Sequence, residues 1–196
     1  MRDKIIEGQT PLTPEEKEGL IPPHITKREE LNSWEQRNMI SANEWLARRK
    51  KKTEILTTEF VCKLHEKMFG EVWKWAGRFR TTDKNIGVSK HEIRPKLHDL
   101  LEDTKTWVEQ GTYPADEIAV RFHHRLVLIH PFPNGNGRHS RKMADLLLTD
   151  VLEQPPFTWG ACNLAGHGQA RTSYIKALQE ADRNNGYEAL LAFARS

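Results

Sequence analysis

Apolar residues recur at helical spacing along most of this 196-residue chain. Leu31, Trp34, Ala42, Trp45 and Leu46 mark a long amphipathic helix over 27–50. Phe60, Val61, Leu64, Met68 and Phe69 mark a second over 57–69, which Gly70 stops. Ile93, Leu97, Leu100, Leu101, Trp107 and Val108 place a third over 91–110. A fourth opens at Pro114, carries Ile118, Phe122, Leu126 and Ile129 inward, and must end at Pro131. Met143, Leu146, Leu147 and Val151 carry a fifth to about residue 152. Two more lie near 167–183 and 187–195, with Tyr174, Leu178, Leu190 and Leu191 inward. Near the N-terminus, PEEKEGL predicts a short helix with Pro14 in its first turn and Gly19 at its end. One stretch breaks the period. Residues 72–90 are aromatic and glycine-punctuated, and they read as irregular structure leading into a small hairpin at 81–88. The expected fold class is mainly α, a helical bundle with one short β-hairpin.

Composition narrows the function more than the fold. A net charge of +3 is too small to argue for nucleic-acid binding. The run ARRKKK at 47–52 reads as cations on the last turn of a helix, where the dipole favours them. Cys62 and Cys162 are far apart and form no CxxC pair, so a disulfide framework is not expected. The first ten residues hold no apolar signal core, and no segment approaches the roughly 20 apolar residues that span a bilayer. A cytoplasmic protein with no membrane partner is the expectation. A homodimer is the assembly that long exposed helices would allow.

The chemistry concentrates in HPFPNGNGRHSR, residues 130–141, which join an apolar helix to the next helix. His130 stands at a helix end beside Pro131, so its ring can project toward a loop. An ordinary imidazole is mostly neutral at pH 7 and able to take a proton. Pro133-Asn134-Gly135-Asn136-Gly137 bends freely, and its N–H groups precede a helix, where unpaired donors and the dipole favour an anion. Arg138 and Arg141, three apart, share one face and can fork onto phosphate oxygens. Phe132 reads as an apolar peg anchoring the loop. A base beside a phosphate cradle suits phosphoryl or nucleotidyl transfer to a hydroxyl. GxxxxGK[ST] is absent, so this is not a Walker A loop. His65, His98, His123 and His139 fall on helices and read as polar-face or core histidines. Zinc at His123, His124 and His130 is disfavoured, because adjacent helical positions point about 100° apart. Trp73 and Trp75 read as core anchors rather than a base clamp.

The string HPFPNGNGRHSR resembles the Fic motif, HxFx[D/E]GNGRxxR, at every defined position but one. LTTEFVCKLHEKMFGEVWKWAGRFRTTDKNIG resembles the first core helix and flap of Fic (Fido) proteins, and RTSYIKALQEADRNNGYEALLAFAR their C-terminal helices. With TPLTPEEKEGLIPPHIT and ELNSWEQRN, the chain is similar to the mobile mystery protein B subgroup. The resemblance implies a Fic domain over 55–196, preceded at 1–54 by an extension with an inhibitory helix and a long helix. It implies transfer of AMP from ATP to a Ser, Thr or Tyr hydroxyl of a target protein, self-modification included. His130 would be the base. Gly135, Asn136 and Gly137 would form the anion hole, and Arg138 and Arg141 would hold the distal phosphates. Gly137 stands where the related Doc motif has lysine, which favours AMP transfer over phosphate transfer.

Asn134 departs from the motif. Where the family carries an Asp or Glu for Mg²⁺, the amide oxygen would hold the ion less tightly. Flap residues Lys84, Asn85, Ile86 and Gly87 would dock the target segment through main-chain bonds. The resemblance also implies an inhibitory glutamate, with Glu18 favoured by its EG ending and Glu30 and Glu35 as alternatives. Two other functions stay open: AMP removal or use of another nucleotide or phosphate donor, and a catalytically silent, toxin–antitoxin-like binding partner.

Overall fold

The computed structural model describes residues 13–22, 25, 28–49, 54–161, 169–184 and 186–196. Eight α-helices are found among them: α1 Pro14–Lys17, α2 Arg28–Arg48, α3 Thr58–Phe69, α4 Ile93–Gln110, α5 Ala115–Ile129, α6 Asn136–Leu146, α7 Gln169–Asn184 and α8 Glu188–Arg195. Local chemistry sets their ends. The Thr57 hydroxyl caps α3 by accepting from Phe60 N–H at 3.1 Å. Thr13 and Glu16 form a reciprocal capping box that starts α1. At the other end of α4, Gly111 takes the left-handed conformation that closes a helix (φ 59°).

Helix α5 is the centre of the bundle, packed by α4, α6 and α8, while α2 lies on α3 and α7 on α8. Its stripe is wider than an amphipathic surface helix needs. Ile118, Ala119, Val120, Phe122, His123, His124, Leu126 and Ile129 are all buried. The motif helix α6 does not run on to 152 as a regular helix. It passes into a π-helical turn, Leu147–Val151, closed by Leu152 N–H on the Leu147 carbonyl at 3.0 Å. This wider turn lets Leu147 and Leu148 both point into the core. Of the basic run, Arg49 pairs with Asp150 at the end of that turn, and Lys50, Lys51 and Lys52 lie outside the described residues.

The expected hairpin at 81–88 is not a strand pair. Among the described residues the sole β-bridge joins Leu20 to Trp73. The segment is a bent loop gathered around the Arg80 side chain, which is fully buried. Its guanidinium donates to the carbonyls of Thr82 (2.9 Å), Val88 and His130 (2.7 Å). Carbonyls that a ladder would have paired across strands are drawn onto one cation instead. The N-terminal stretch straps the same region. Ile21 N–H bonds the Val72 carbonyl and Lys74 N–H the Gly19 carbonyl, each at 2.8 Å. Glu16 pairs with Lys84, and the Thr82 hydroxyl reaches it at 3.2 Å.

Candidate active site

Helix α5 stops at Ile129 because His130 adopts the left-handed conformation (φ 51°, ψ 59°), uncommon for a residue with a side chain. Arg80 holds that bend from both sides. Its side chain bonds the His130 carbonyl, and its N–H bonds the Pro131 carbonyl at 2.9 Å. Gly87 presses on the histidine from the loop above. A side chain there would meet His130 Cβ at 2.6 Å, and the backbone is left-handed (φ 97°), so only glycine fits. His130 is 6% exposed. Burial, helped by the charges of Arg80 and Lys84, pulls its pKa down to about 4, against an opposing hydrogen bond to the Val127 backbone. The ring is therefore neutral at pH 7. A neutral imidazole keeps a nitrogen lone pair that can take a proton.

The loop beyond it is rigid. Phe132 is fully buried. Its N–H donates to Asn136 Oδ1 at 2.9 Å, and Asn136 Nδ2 donates back to its carbonyl at 2.8 Å. The Asn136 side chain thus braces the loop, and the group it can offer an anion is its backbone N–H. Gly135 (φ 79°) precedes α6, and no side chain caps the helix there. The first turn consequently keeps the donors that an anion would use. Gly137 opens into space, since a Cβ there would meet nothing nearer than Arg141 Nη1 at 3.7 Å.

Asn134 Oδ1 turns back onto Gly135 N–H at 2.6 Å. It is the motif side chain through which a divalent cation could be held. Among the described residues no group of three or more His, Cys, Asp or Glu is placed to bind one. A cation here would rest on one amide oxygen and on oxygens brought by a ligand, and Oδ1 would first have to leave the Gly135 N–H.

The arginines diverge. Arg138 lies over the Phe69 ring and donates to Glu35 Oε2 at 2.7 Å. Arg141 sits over Tyr174 of α7 with a side-chain hydrogen bond to it, and Tyr174 bonds His123 Nε2 at 2.9 Å. Between α2 and α6 both arginines line a cleft of about 270 Å³ with Lys142, Asp145, Met39 and Trp159. Asp145, held there by Trp159 and Phe157, has its pKa raised to about 6 by burial.

The three candidate inhibitory glutamates separate cleanly. Glu35 is 6% exposed and reaches the motif, with its other oxygen accepting from Trp73 Nε1 at 2.8 Å. It meets Arg138, the first of the motif's two arginines. Glu18 is the exposed C-cap of α1 and Glu30 is exposed on α2; neither is among the residues brought to the arginines. On the flap, Asn85, Ile86 and Gly87 are exposed and Gly87 lies against His130, while the Lys84 side chain is buried against Glu16.

Two residues at the site carry no signal in the sequence. Tyr174 backs Arg141 from α7. His65, on α3, bonds the Asn134 carbonyl at 3.0 Å and stacks on Phe132 at 3.7 Å between ring centres. Its helical spacing makes it one more core position, and only the packing of α3 on the loop distinguishes it. His123 and His124 turn away from His130, to Tyr174 and Asp182.

The Fic/DOC family profile matches residues 55–148, from the approach to α3 through the whole motif. The chain carries a Fic/DOC domain. Half of it aligns at 30% identity with "Protein adenylyltransferase fic-1" of Caenorhabditis elegans, over 106 residues. A similar share aligns at 30% with "Protein adenylyltransferase Fic" of Nematostella vectensis. The matched segments span 20% and 24% of those relatives' lengths. Solved structures share the Fic/DOC fold more broadly. Fic-1 of C. elegans (residues 134–508) superposes with TM-score 0.68 at 24% identity, covering 91% of this chain and 51% of that one. BepC of Bartonella tribocorum, solved with bound AMPPNP, gives TM-score 0.67 at 14% identity, covering 93% and 97%. No helix among the described residues is long and apolar enough to cross a membrane.

Proposed function

We propose that this protein is an adenylyltransferase that moves AMP from ATP to a hydroxyl of a target protein, itself included. One observation carries the reading. A neutral, buried His130 stands beside an uncapped helix N-terminus whose next glycine opens toward Arg141. The hydroxyl oxygen attacks the α-phosphorus, its proton passes to His130, and the bond to pyrophosphate breaks. Backbone N–H groups of 135–137 take up charge on the α-phosphate, and Arg138 and Arg141 hold the leaving phosphates. The names of the curated relatives and the AMPPNP bound to the Bartonella neighbour support ATP as donor. Incubation with ATP and Mg²⁺, alone and with lysate, should add the mass of AMP to this chain or to a lysate protein. A phosphate-sized shift, or AMP lost from a modified substrate, would assign the site to the other donor chemistries. No covalent change under any condition would leave a binding-only role.

Mg²⁺ would be held by the phosphates and by Asn134 Oδ1, where it would offset phosphate charge. Asn134→Asp should lower the Mg²⁺ concentration for half-maximal activity several-fold, because a carboxylate ligates a hard cation more strongly than an amide. An unchanged midpoint removes Asn134 from the metal.

Glu35 is the brake in this reading. Its carboxylate occupies the guanidinium of Arg138 that phosphate needs. Freeing that arginine should tighten AMPPNP binding by about 1–2 kcal/mol, roughly 5–30-fold. Glu35→Ala is expected to show this by calorimetry and to raise self-modification, whereas Glu18→Gly changes neither. Equal affinities in wild type and Glu35→Ala would end the assignment.

A further inference from the structure

We propose that His65 is a positioning residue of the phosphate loop: locked as one tautomer, it aims the peptide whose N–H opens the anion cradle. The proposal rests on the adenylyltransferase reading for its catalytic consequence, but not for its geometry.

His65 is completely buried, and both ring nitrogens are engaged. Gly77 N–H approaches Nδ1 at 3.0 Å. The Asn134 carbonyl approaches Nε2 at 3.0 Å. A backbone N–H can only donate and a carbonyl can only accept. Nδ1 must therefore be the bare nitrogen, and Nε2 must carry the hydrogen. Both bonds are satisfied by the neutral Nε2–H tautomer alone. Protonation would set an Nδ1–H against the Gly77 N–H. Burial, with the neighbouring His139 and the charge of Arg138 adding to it, keeps the ring pKa well below its usual value, so the neutral form is the resident one.

The consequence follows from peptide geometry. The Asn134 carbonyl and the Gly135 N–H belong to one planar trans unit and point in opposite directions. Anchoring the carbonyl on His65 fixes where the Gly135 N–H points, and that N–H is the first donor of the cradle. In this structure Asn134 Oδ1 meets it. Such an anchor is needed here because Gly135 (φ 79°) lies in the region only glycine visits freely, where a peptide can flip at little steric cost. Phe69 and His65 close in on Gly135 from the other side. A side chain at this position would put its Cβ 2.7 Å from Phe69 Cε2 and 3.3 Å from His65 Nε2. The His65 ring itself is held by stacking on Phe132. The strut thus runs from the Gly77 turn, through α3, to the loop that follows the base.

The test compares wild type with His65→Gln, His65→Asn and His65→Phe, using full-length protein whose melting temperatures are recorded. The glutamine amide can reach Asn134 as Nε2–H does. Asparagine can replace only the Nδ1 acceptor, and phenylalanine keeps the stack and neither bond. In ¹⁵N NMR of the wild type, His65 should show a pyridine-like Nδ1 and a pyrrole-like Nε2. The Gly135 amide resonance should stay in place in His65→Gln and move in the other two variants. AMPPNP affinity should fall about tenfold in His65→Asn and His65→Phe and stay within about threefold of wild type in His65→Gln, with kcat for AMP transfer in the same order. An Nδ1–H tautomer, or losses that follow melting temperature and show no rescue by glutamine, would overturn the strut. A wild type that transfers no AMP overturns the adenylyltransferase reading instead. The tautomer and the Gly135 resonance still decide the strut in that case.

Discussion

Replacing His130 with alanine is expected to reduce AMP transfer by a factor of about 10²–10⁴, the range for a positioned general base. AMPPNP binding should be nearly unchanged, because the ring is not among the groups proposed to hold phosphate. The variant should also fold. His130 is held mainly through its backbone, by Arg80 on the carbonyl and by the Leu126 carbonyl on the N–H. The pH profile carries a second signature. With the pKa of His130 lowered to about 4, the ring is already a free base well below neutrality. The acid limb of kcat/KM, which reports the free enzyme, should therefore fall near pH 4–5 and not near 6.5. Intact-mass time courses of wild type and His130→Ala across pH 4.5–8 check both points. Retained transfer in the variant, or a limb at 6.5, would remove His130 from the role of base.

Acid should destabilise this protein before it protonates an ordinary carboxylate. His65, His123, His130 and His139 are all buried as neutral rings. Burial is the leading cause each time, holding His123 at about 3, His130 and His139 at about 4, and His65 well below its usual value. Between pH 6.5 and 4 the unfolded chain binds these protons and the native chain does not, so stability falls as pH falls through that window. At pH 5 the loss is about 2 kcal/mol for each of the three histidines with a stated value. Asp145 works the other way. With its carboxyl raised to about 6, the native state binds its proton first and gains about 1 kcal/mol at pH 5. The histidines win, and the net loss is a large part of the roughly 5–15 kcal/mol that holds a typical domain together. Melting temperature should drop by about 10–20 °C between pH 7 and pH 5. Circular dichroism melts at pH 7, 6 and 5 check this, and a flat series would mean that these rings are not buried neutral.

Much of the bundle is legible along the chain because helix signals are local. The apolar stripe of α3, its stop at Gly70 and the end of α5 before Pro131 depend on neighbours within a few residues. The 81–88 loop misleads for the opposite reason. Its turn residues suggest a hairpin, but whether two strands pair depends on what else takes their carbonyls. Here that is the Arg80 side chain, which is buried against the motif through the His130 carbonyl, 50 residues along the chain.

The site divides in the same way. Twelve consecutive residues place the candidate base, the glycine-rich bend and both arginines, because one loop and one helical turn carry them all. Pairings across the bundle needed the packed structure. Glu35 meets Arg138 across 103 residues of chain, and His65 meets Asn134 across 69. Which face of α2 or α3 turns toward the loop follows from how the helices fit together, and residue spacing on either helix cannot show it. The neutrality of His130 has the same origin. An imidazole is written in the sequence, but its pKa is set by the water that Arg80, Gly87 and the core keep away from it.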